Sequence, residues 1–238
     1  MQPIKLHNVI AIDGPAASGK STIGMMLARR LDYLCLDTGL MYRALTLAAI
    51  HHQISPYDEA SIIRLAHDSD IDVLPPAGEA DGRLYTVLLD RRDVTWDLRR
   101  PAVEESVSQV SLYPEVRVEM VRRQRDVARR GRVVMVGRDI GTVVVPDAAL
   151  KLYITASPQE RARRRLLDRQ RQGYEDSYEA ILADVVRRDH IDSNRRHSPL
   201  QPAADAVVID TTGRTTDEVM MEIMALVAAL PARNEEHI

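Results

Sequence analysis

The sequence predicts an α/β fold with a central parallel sheet and helices on both of its faces. Three observations carry this. Short apolar runs recur along the 238 residues, and turn signals or helical patterns follow each of them, the alternation expected of parallel strands joined by crossover helices. The first two runs, at 8–13 and 33–37, are apolar without alternation, as strands buried on both faces are. The first run leads into a glycine-rich turn that opens a helix.

In order, "NVIAID" (8–13) is the first strand. A helix follows, with Ile23, Leu27 and Leu31 at intervals of four. "YLCLD" (33–37) is a second strand and "LMYRALTLAAIHH" (40–52) a second helix. The middle differs. "IDVLPPAGEADGRLYTVLLDRRDVT" (71–95) reads as short strands broken by Pro75-Pro76, Gly78 and Asp81-Gly82, the last pair a hairpin-type turn signal. Helical patterns at about 57–67 and 101–130 flank it. Residues of about 70–97 are therefore expected to be the β part of a small subdomain inserted at about 65–112 of a single domain, 1–238. The parallel-sheet pattern resumes with "RVVMVG" (132–137), "LKLYITA" (150–156) and "DAVVID" (205–210). The tail "PARNEEHI" is expected to fray.

Composition narrows the function. With 45% hydrophobic residues and no Phe, the core must be aliphatic with Ala and Met. A net charge of −3 gives no bulk attraction to nucleic acid or an acidic membrane. Aromatics are only 4%, too few for stacking platforms that hold single strands. Cys35, the single cysteine, sits between Leu34 and Leu36 as a small buried hydrophobe. No signal-peptide pattern and no apolar run of ~18–20 residues is present, so a cytoplasmic location is expected.

The sharpest motif is Gly14-Pro15-Ala16-Ala17-Ser18-Gly19-Lys20-Ser21, followed by Thr22. It fits G-x-x-x-x-G-K-[ST] in the required place, after a strand and opening a helix. The glycines let the backbone curl so that N–H groups cradle phosphate oxygens, and the helix adds its positive end. The chain has three lysines, Lys5, Lys20 and Lys151, among 32 basic residues. One is placed here because a compact ammonium reaches between β- and γ-phosphates where a planar guanidinium fits poorly. The Ser21 hydroxyl is placed to ligate Mg²⁺. The plain alternative is a glycine-containing loop with a solvated lysine. The guanine-reading N-K-x-D is absent, which weakens a GTPase reading.

Other segments bear on what receives the phosphate. In "SPQERARRRLLDRQRQG", Arg161, Arg164 and Arg165 share a helical face; they read either as a lid over about 157–174 that brings cations over the transferring phosphoryl, or as a solvated basic face. In "VVRRDHIDSNRRHSPL", Arg188, Asp192 and Arg195 also share a face, as a surface ion-pair ladder or as readers of ribose and phosphate. In "VGRDIGTVVVPDA", Gly137 and Gly141 bracket Arg138 and Asp139 directly after a strand, where open α/β sheets bind ligands. The pair reads either as structural or as one member for phosphate and one for a base amino group.

"IDGPAASGKST", "LDTGLMYRAL", "SQVSLYPEVR" with "RRQR", "GRDIGTVVVPDAALKLYITAS" with "ERARRR", "RRDHIDSNR" and "PLQPAADAVVID" occur in that order. Together they closely resemble the bacterial cytidylate kinases, which are nucleoside monophosphate kinases, over about residues 8–212. The resemblance implies a three-layer P-loop NTPase-type fold with an inserted CMP-binding subdomain and an Arg-rich helical lid. It implies a monomeric enzyme carrying out ATP + CMP → ADP + CDP, with dCMP also accepted and Mg²⁺ accompanying ATP. By resemblance, Lys20 and its loop hold ATP; Arg43, Arg138 and Arg195 hold the CMP phosphate; Ser108, Arg117 and Asp139 read cytosine. Arg188 and Asp192 hold the ribose, and Asp37 and Thr38 line the acceptor site. Arg161, Arg164 and Arg195 join Lys20 as catalytic cations. In many relatives an acid precedes Gly-Arg-Asp; here it is Val136, leaving Asp13 or Asp37 as substitutes near the metal. The alternatives are another small-molecule P-loop kinase, acting on UMP, AMP or shikimate, and a non-catalytic RNA- or nucleotide-binding module.

Overall fold

A computed structural model of the chain describes residues 6–78, 81–83, 85–171, 173–194 and 198–230. Its centre is a five-stranded sheet of β1 (Leu6–Asp13), β2 (Leu34–Asp37), β6 (Val133–Gly137), β7 (Ala148–Thr155) and β8 (Val207–Asp210). The order is β2-β6-β1-β7-β8 and every neighbouring pair is parallel. The continuously apolar runs have the anticipated cause, because both faces are covered. Val9, Ala11, Val133 and Met135 point into one core. That core is closed by α2 (Gly39–His51), α3 (Glu59–Asp68), α4 (Pro101–Val110) and α5 (Pro114–Arg129). Their neighbours Ile10, Ile12, Val134 and Val136 point into the other, under α1 (Lys20–Leu31) and α8 (Thr216–Ala228). The result is a three-layer α/β fold of the P-loop type. A third, small cluster of Ala162, Ile181 and Val185 joins α6 (Pro158–Arg171) to α7 (Tyr178–Asn194).

The middle segment forms a separate antiparallel sheet of β3 (Ile71–Leu74), β4 (Thr86–Leu89) and β5 (Arg92–Asp93). Its tight two-residue turn is not at Asp81-Gly82. It is at Asp90-Arg91, between the paired Leu89 and Arg92, with φ of 50° and 64°. Asp tolerates that left-handed backbone through local hydrogen bonding, and the Asp90 carboxylate accepts from the Asp70 N–H at 2.8 Å. Asp81-Gly82 instead lies in the longer β3–β4 connection. The helical stretch expected over 101–130 is broken at 111–113, because Pro114 starts a new helix at its first position.

Layer packing is tight where α1 crosses β6. A Cβ added at Gly24 would stand 2.4 Å from Val136 Cγ2. Gly24→Ala is therefore expected to destabilise the protein by about 1–3 kcal/mol by overpacking, although alanine is the better helix former by about 1 kcal/mol. Urea denaturation decides it, since a stabilised variant would show that this interface yields.

Candidate active site

The carboxyl ends of the parallel strands deliver the side chains of interest to one edge of the sheet, where ligands of such sheets bind. Asp13 ends β1, Asp37 ends β2 and Gly137 ends β6. Between β1 and α1 the glycine-rich loop turns through two positions that tolerate no side chain. A Cβ on Gly14 would lie 2.0 Å from the Ile154 carbonyl oxygen. Gly19, the residue before α1, has φ of 91°, in the left-handed region that glycine reaches at no steric cost. The start of α1 has no side-chain cap, which leaves its first-turn N–H groups for an anion.

Lys20 donates to the Pro15 carbonyl at 2.8 Å. Burial pushes its ammonium down to about 8, the positive charge of Arg138 adds to this, and the carboxylates of Asp37, Asp192 and Asp13 oppose it. Arg138 and Asp192 are among the residues expected to hold the acceptor, and both act on the charge of Lys20 in the donor loop. Ser21 Oγ donates to Asp37 Oδ2 at 3.0 Å, and Asp37 Oδ1 accepts from the Gly39 N–H at 3.0 Å. Asp13 is occupied differently. Its two oxygens accept from the Ile140 and Gly141 N–H groups at 2.7 and 2.8 Å, bracing the turn that follows Gly137-Arg138-Asp139. Burial outweighs these bonds and raises its carboxyl to about 6. Of the two acids proposed to replace the one missing at Val136, Asp37 is thus the one beside Ser21. Val136 itself is fully buried.

The acceptor-side residues come together in pairs. Arg117 on α5 donates to Asp139 Oδ2 at 2.5 Å and stacks 5.8 Å from the Tyr42 ring centroid. Arg138 donates to Asp192 Oδ1 at 2.7 Å. Arg43 on α2 donates to Glu104 Oε1 at 2.6 Å and to the Leu98 carbonyl at 3.2 Å. Thr38 is buried and donates to the Val136 carbonyl at 3.1 Å. Ser108 lies exposed on α4. Arg188 is half-buried, and burial, followed by the charge of Arg165, lowers its pKa. Arg195 lies outside the described residues.

The arginines of α6 depart from expectation. Arg161 does not stand over the cleft; it is 3% exposed. It forms a bidentate pair with Asp189 of α7 at 2.8 and 2.5 Å. It also donates to the Ala156 carbonyl at 2.9 Å and to the Ala16 carbonyl of the glycine-rich loop at 3.3 Å. The helical spacing is as read, but this face packs against protein because Asp189, Ala156 and Ala16 supply all its acceptors. Arg164 also joins the loop, donating to the Ser18 carbonyl at 3.2 Å and the Thr211 carbonyl at 2.7 Å. Arg165 lies 3.5 Å from Asp184. Arg161→Ala strands the Asp189 carboxylate and two carbonyls, so a loss of about 2–4 kcal/mol is expected in denaturant unfolding. Arg161→Lys should not restore it, lacking the bidentate fork; a loss under ~0.5 kcal/mol would mean that the pair does not hold α6 to α7.

Sequence reasoning missed the far side of the loop. A cavity of about 480 Å³ opens there between the start of α1, α6 and the segment after β8; Ser18, Arg164, Thr211, Arg214, Thr215 and Val219 are among its lining residues. Only the position of "TTGRTT" at a strand's carboxyl end pointed to it.

Comparison with known proteins places this geometry. A family model described as Cytidylate kinase matches residues 10–229. The cytidylate kinase of Roseiflexus castenholzii is 51% identical over 221 residues, which cover 93% of this chain and 94% of that one. That of Chloroflexus aggregans is 48% identical over 235 residues, covering 98% and 100%. A crystal structure of an uncharacterised Eubacterium ventriosum protein, 12% identical, shares the fold over 93% of this chain and 98% of that one, with a TM-score of 0.51.

Proposed function

The chain belongs to the cytidylate kinase family and is a phosphotransferase that uses ATP to phosphorylate CMP; from that premise we propose how its residues divide the work. The glycine-rich loop and Lys20 take the ATP phosphates, and the cavity beside Thr211 and Arg214 takes the adenosine end. Arg43, Arg138 and Arg195 hold the CMP phosphate, with Arg188 and Asp192 on the ribose and Ser108, Arg117 and Asp139 on cytosine. The reading is supported by the strand ends, which carry Asp13, Asp37 and Gly137 to the edge of the sheet where the glycine-rich loop lies, and by the bond from Ser21 to Asp37.

The chemistry asks little covalent work of the protein. An oxygen of the CMP phosphate is already anionic, so it attacks the γ-phosphorus without a general base, and ADP leaves with the bond electrons. What the chain supplies is alignment and positive charge over the equatorial oxygens. Lys20 follows the transferring phosphoryl as a point charge, Arg138 faces it from the acceptor side, and Arg164 ties α6 to the loop. Arg161 acts behind the loop rather than upon the phosphoryl. Ser21 and Asp37 offer adjacent hard oxygens, and no cluster of three metal-ligating side chains occurs among the described residues. That donor set suits Mg²⁺, which keeps waters and substrate phosphates as its other ligands; when bound it neutralises charge on the β- and γ-oxygens.

Cytosine recognition follows from donor and acceptor order. Asp139 accepts from the N4 amino group, while Arg117 and Ser108 donate to N3 and O2. Uracil would turn an acceptor toward the Asp139 carboxylate, costing about 1–3 kcal/mol. A coupled assay with CMP, UMP, AMP and shikimate tests this; turnover of any other acceptor above CMP would refute the base-reading set. The proposal extends to dCMP as an acceptor, to a monomer without nucleic-acid or membrane partners, and to a cytoplasmic location; no helix among the described residues is long and apolar enough to cross a membrane.

A further inference from the structure

Three arginines assigned to the acceptor are ion-paired: Arg117 with Asp139, Arg138 with Asp192 and Arg43 with Glu104. Asp139 and Asp192 have work of their own on CMP. Glu104 has none. It sits on α4 with its side chain 54% exposed, and Arg43 is its only side-chain partner among the described residues. An ion pair this exposed adds little to stability, so its consequence falls on what Arg43 does.

We infer that Glu104 sets the acceptor affinity by competing, as an internal carboxylate, with the acceptor's phosphate for Arg43. This rests on Arg43 holding that phosphate. Both Arg43 contacts, to Glu104 and to the Leu98 carbonyl, leave from the same nitrogen, Nη1. An arriving phosphate has two routes. It takes Nη1 and expels the carboxylate, or it binds the remaining guanidinium N–H groups and leaves a negative charge beside its own. Either route penalises an anion. The same competition works in reverse once transfer is complete, when the carboxylate re-enters as the product's inner phosphate leaves. Glu104 also lies four residues before Ser108, on the same face of α4, so phosphate seating and cytosine reading act on one helix surface.

Glu104→Gln removes the charge and keeps the length and helix propensity, and the exposed position leaves folding intact. Titration calorimetry with CMP and with cytidine, which has no phosphate, separates the outcomes. Glu104→Gln is expected to tighten CMP about two- to fivefold, the worth of an exposed ion pair, and to leave cytidine unchanged. Arg43→Gln is expected to cut the advantage of CMP over cytidine by about tenfold, Arg138 and Arg195 remaining on the phosphate, and Glu104→Gln added to it should then change nothing. CMP affinity that stays the same or weakens in Glu104→Gln overturns the inference. So does an equal gain for CMP and cytidine, which would mean a shift of α4 instead. An Arg43→Gln protein that keeps the full preference for CMP over cytidine would overturn the phosphate assignment of Arg43 itself, a different failure read in a different variant.

Discussion

Lys20→Met is expected to lower phosphoryl transfer from ATP to CMP by about 10²–10³-fold, the usual cost of one preorganised charge at the reacting centre. Folding should survive, because among the described residues the ammonium's one direct bond goes to a carbonyl of its own loop. Lys20→Arg should be nearly as poor. The Lys20 ammonium is buried and bonded to the Pro15 carbonyl of its own loop, and a planar fork cannot follow the phosphoryl as a point charge does. Single-turnover kinetics with saturating nucleotides read this directly; a loss of less than tenfold would place the transferring phosphoryl elsewhere. The same lysine gives a pH signature. Its ammonium is pushed down to about 8, first by burial and then by Arg138. Triphosphate brings negative charge that favours the protonated form. Binding of ATP above pH 8 therefore takes up a proton, and affinity falls as pH rises through 8, by up to about tenfold per unit. Below pH 7 this group adds no slope. Calorimetry in buffers of different ionisation enthalpy measures the uptake, and flat affinity from about pH 7 to 9.5 would contradict it.

Asp139→Asn is expected to lower kcat/KM for CMP by about 10- to 100-fold, or about 1.5–3 kcal/mol, and to move acceptor preference toward UMP. The amide keeps the shape but can turn a donor where the carboxylate accepted, which suits the uracil 4-carbonyl and opposes the cytosine amino group. It also frees Arg117 from its 2.5 Å ion pair, so part of the loss is in orienting that guanidinium. Affinity for an ATP analogue should stay near wild type, since the Asp139 carboxylate bonds Arg117 and its carbonyl accepts from the N–H groups of Val143 and Val144, none of which belongs to the glycine-rich loop. A collapse of ATP affinity would reassign Asp139 to holding the strand-end turn together.

The central strands β1 and β6 carry the apolar runs Val9–Ile12 and Val133–Val136, buried throughout, and such runs have one stable home, a sheet covered on both faces. The phosphate loop was legible because its chemistry is local. Glycines, lysine and serine act within eight consecutive residues, so spacing along the chain is spacing in space. The two-residue turn at Asp90-Arg91 was hidden because neither residue is glycine, and its left-handed backbone is held by a bond from Asp90 to Asp70, 20 positions away in the chain. The α6 arginines show the same limit. Helical periodicity put Arg161 and Arg164 on one face and said nothing of what covers it.

The sequence by itself determined the layered α/β architecture and the donor loop, because each is written in contiguous patterns; the residues expected on the acceptor are scattered from Arg43 to Arg195 and came from the family resemblance. Only the tertiary structure decided which carboxylate each arginine meets: Asp189 beneath Arg161, Glu104 upon Arg43, Asp37 rather than Asp13 beside Ser21. A charge acts over a few ångströms and falls off with distance and solvent. Its partner is therefore set by how helices from distant parts of the chain pack, and that packing is carried by uncharged residues.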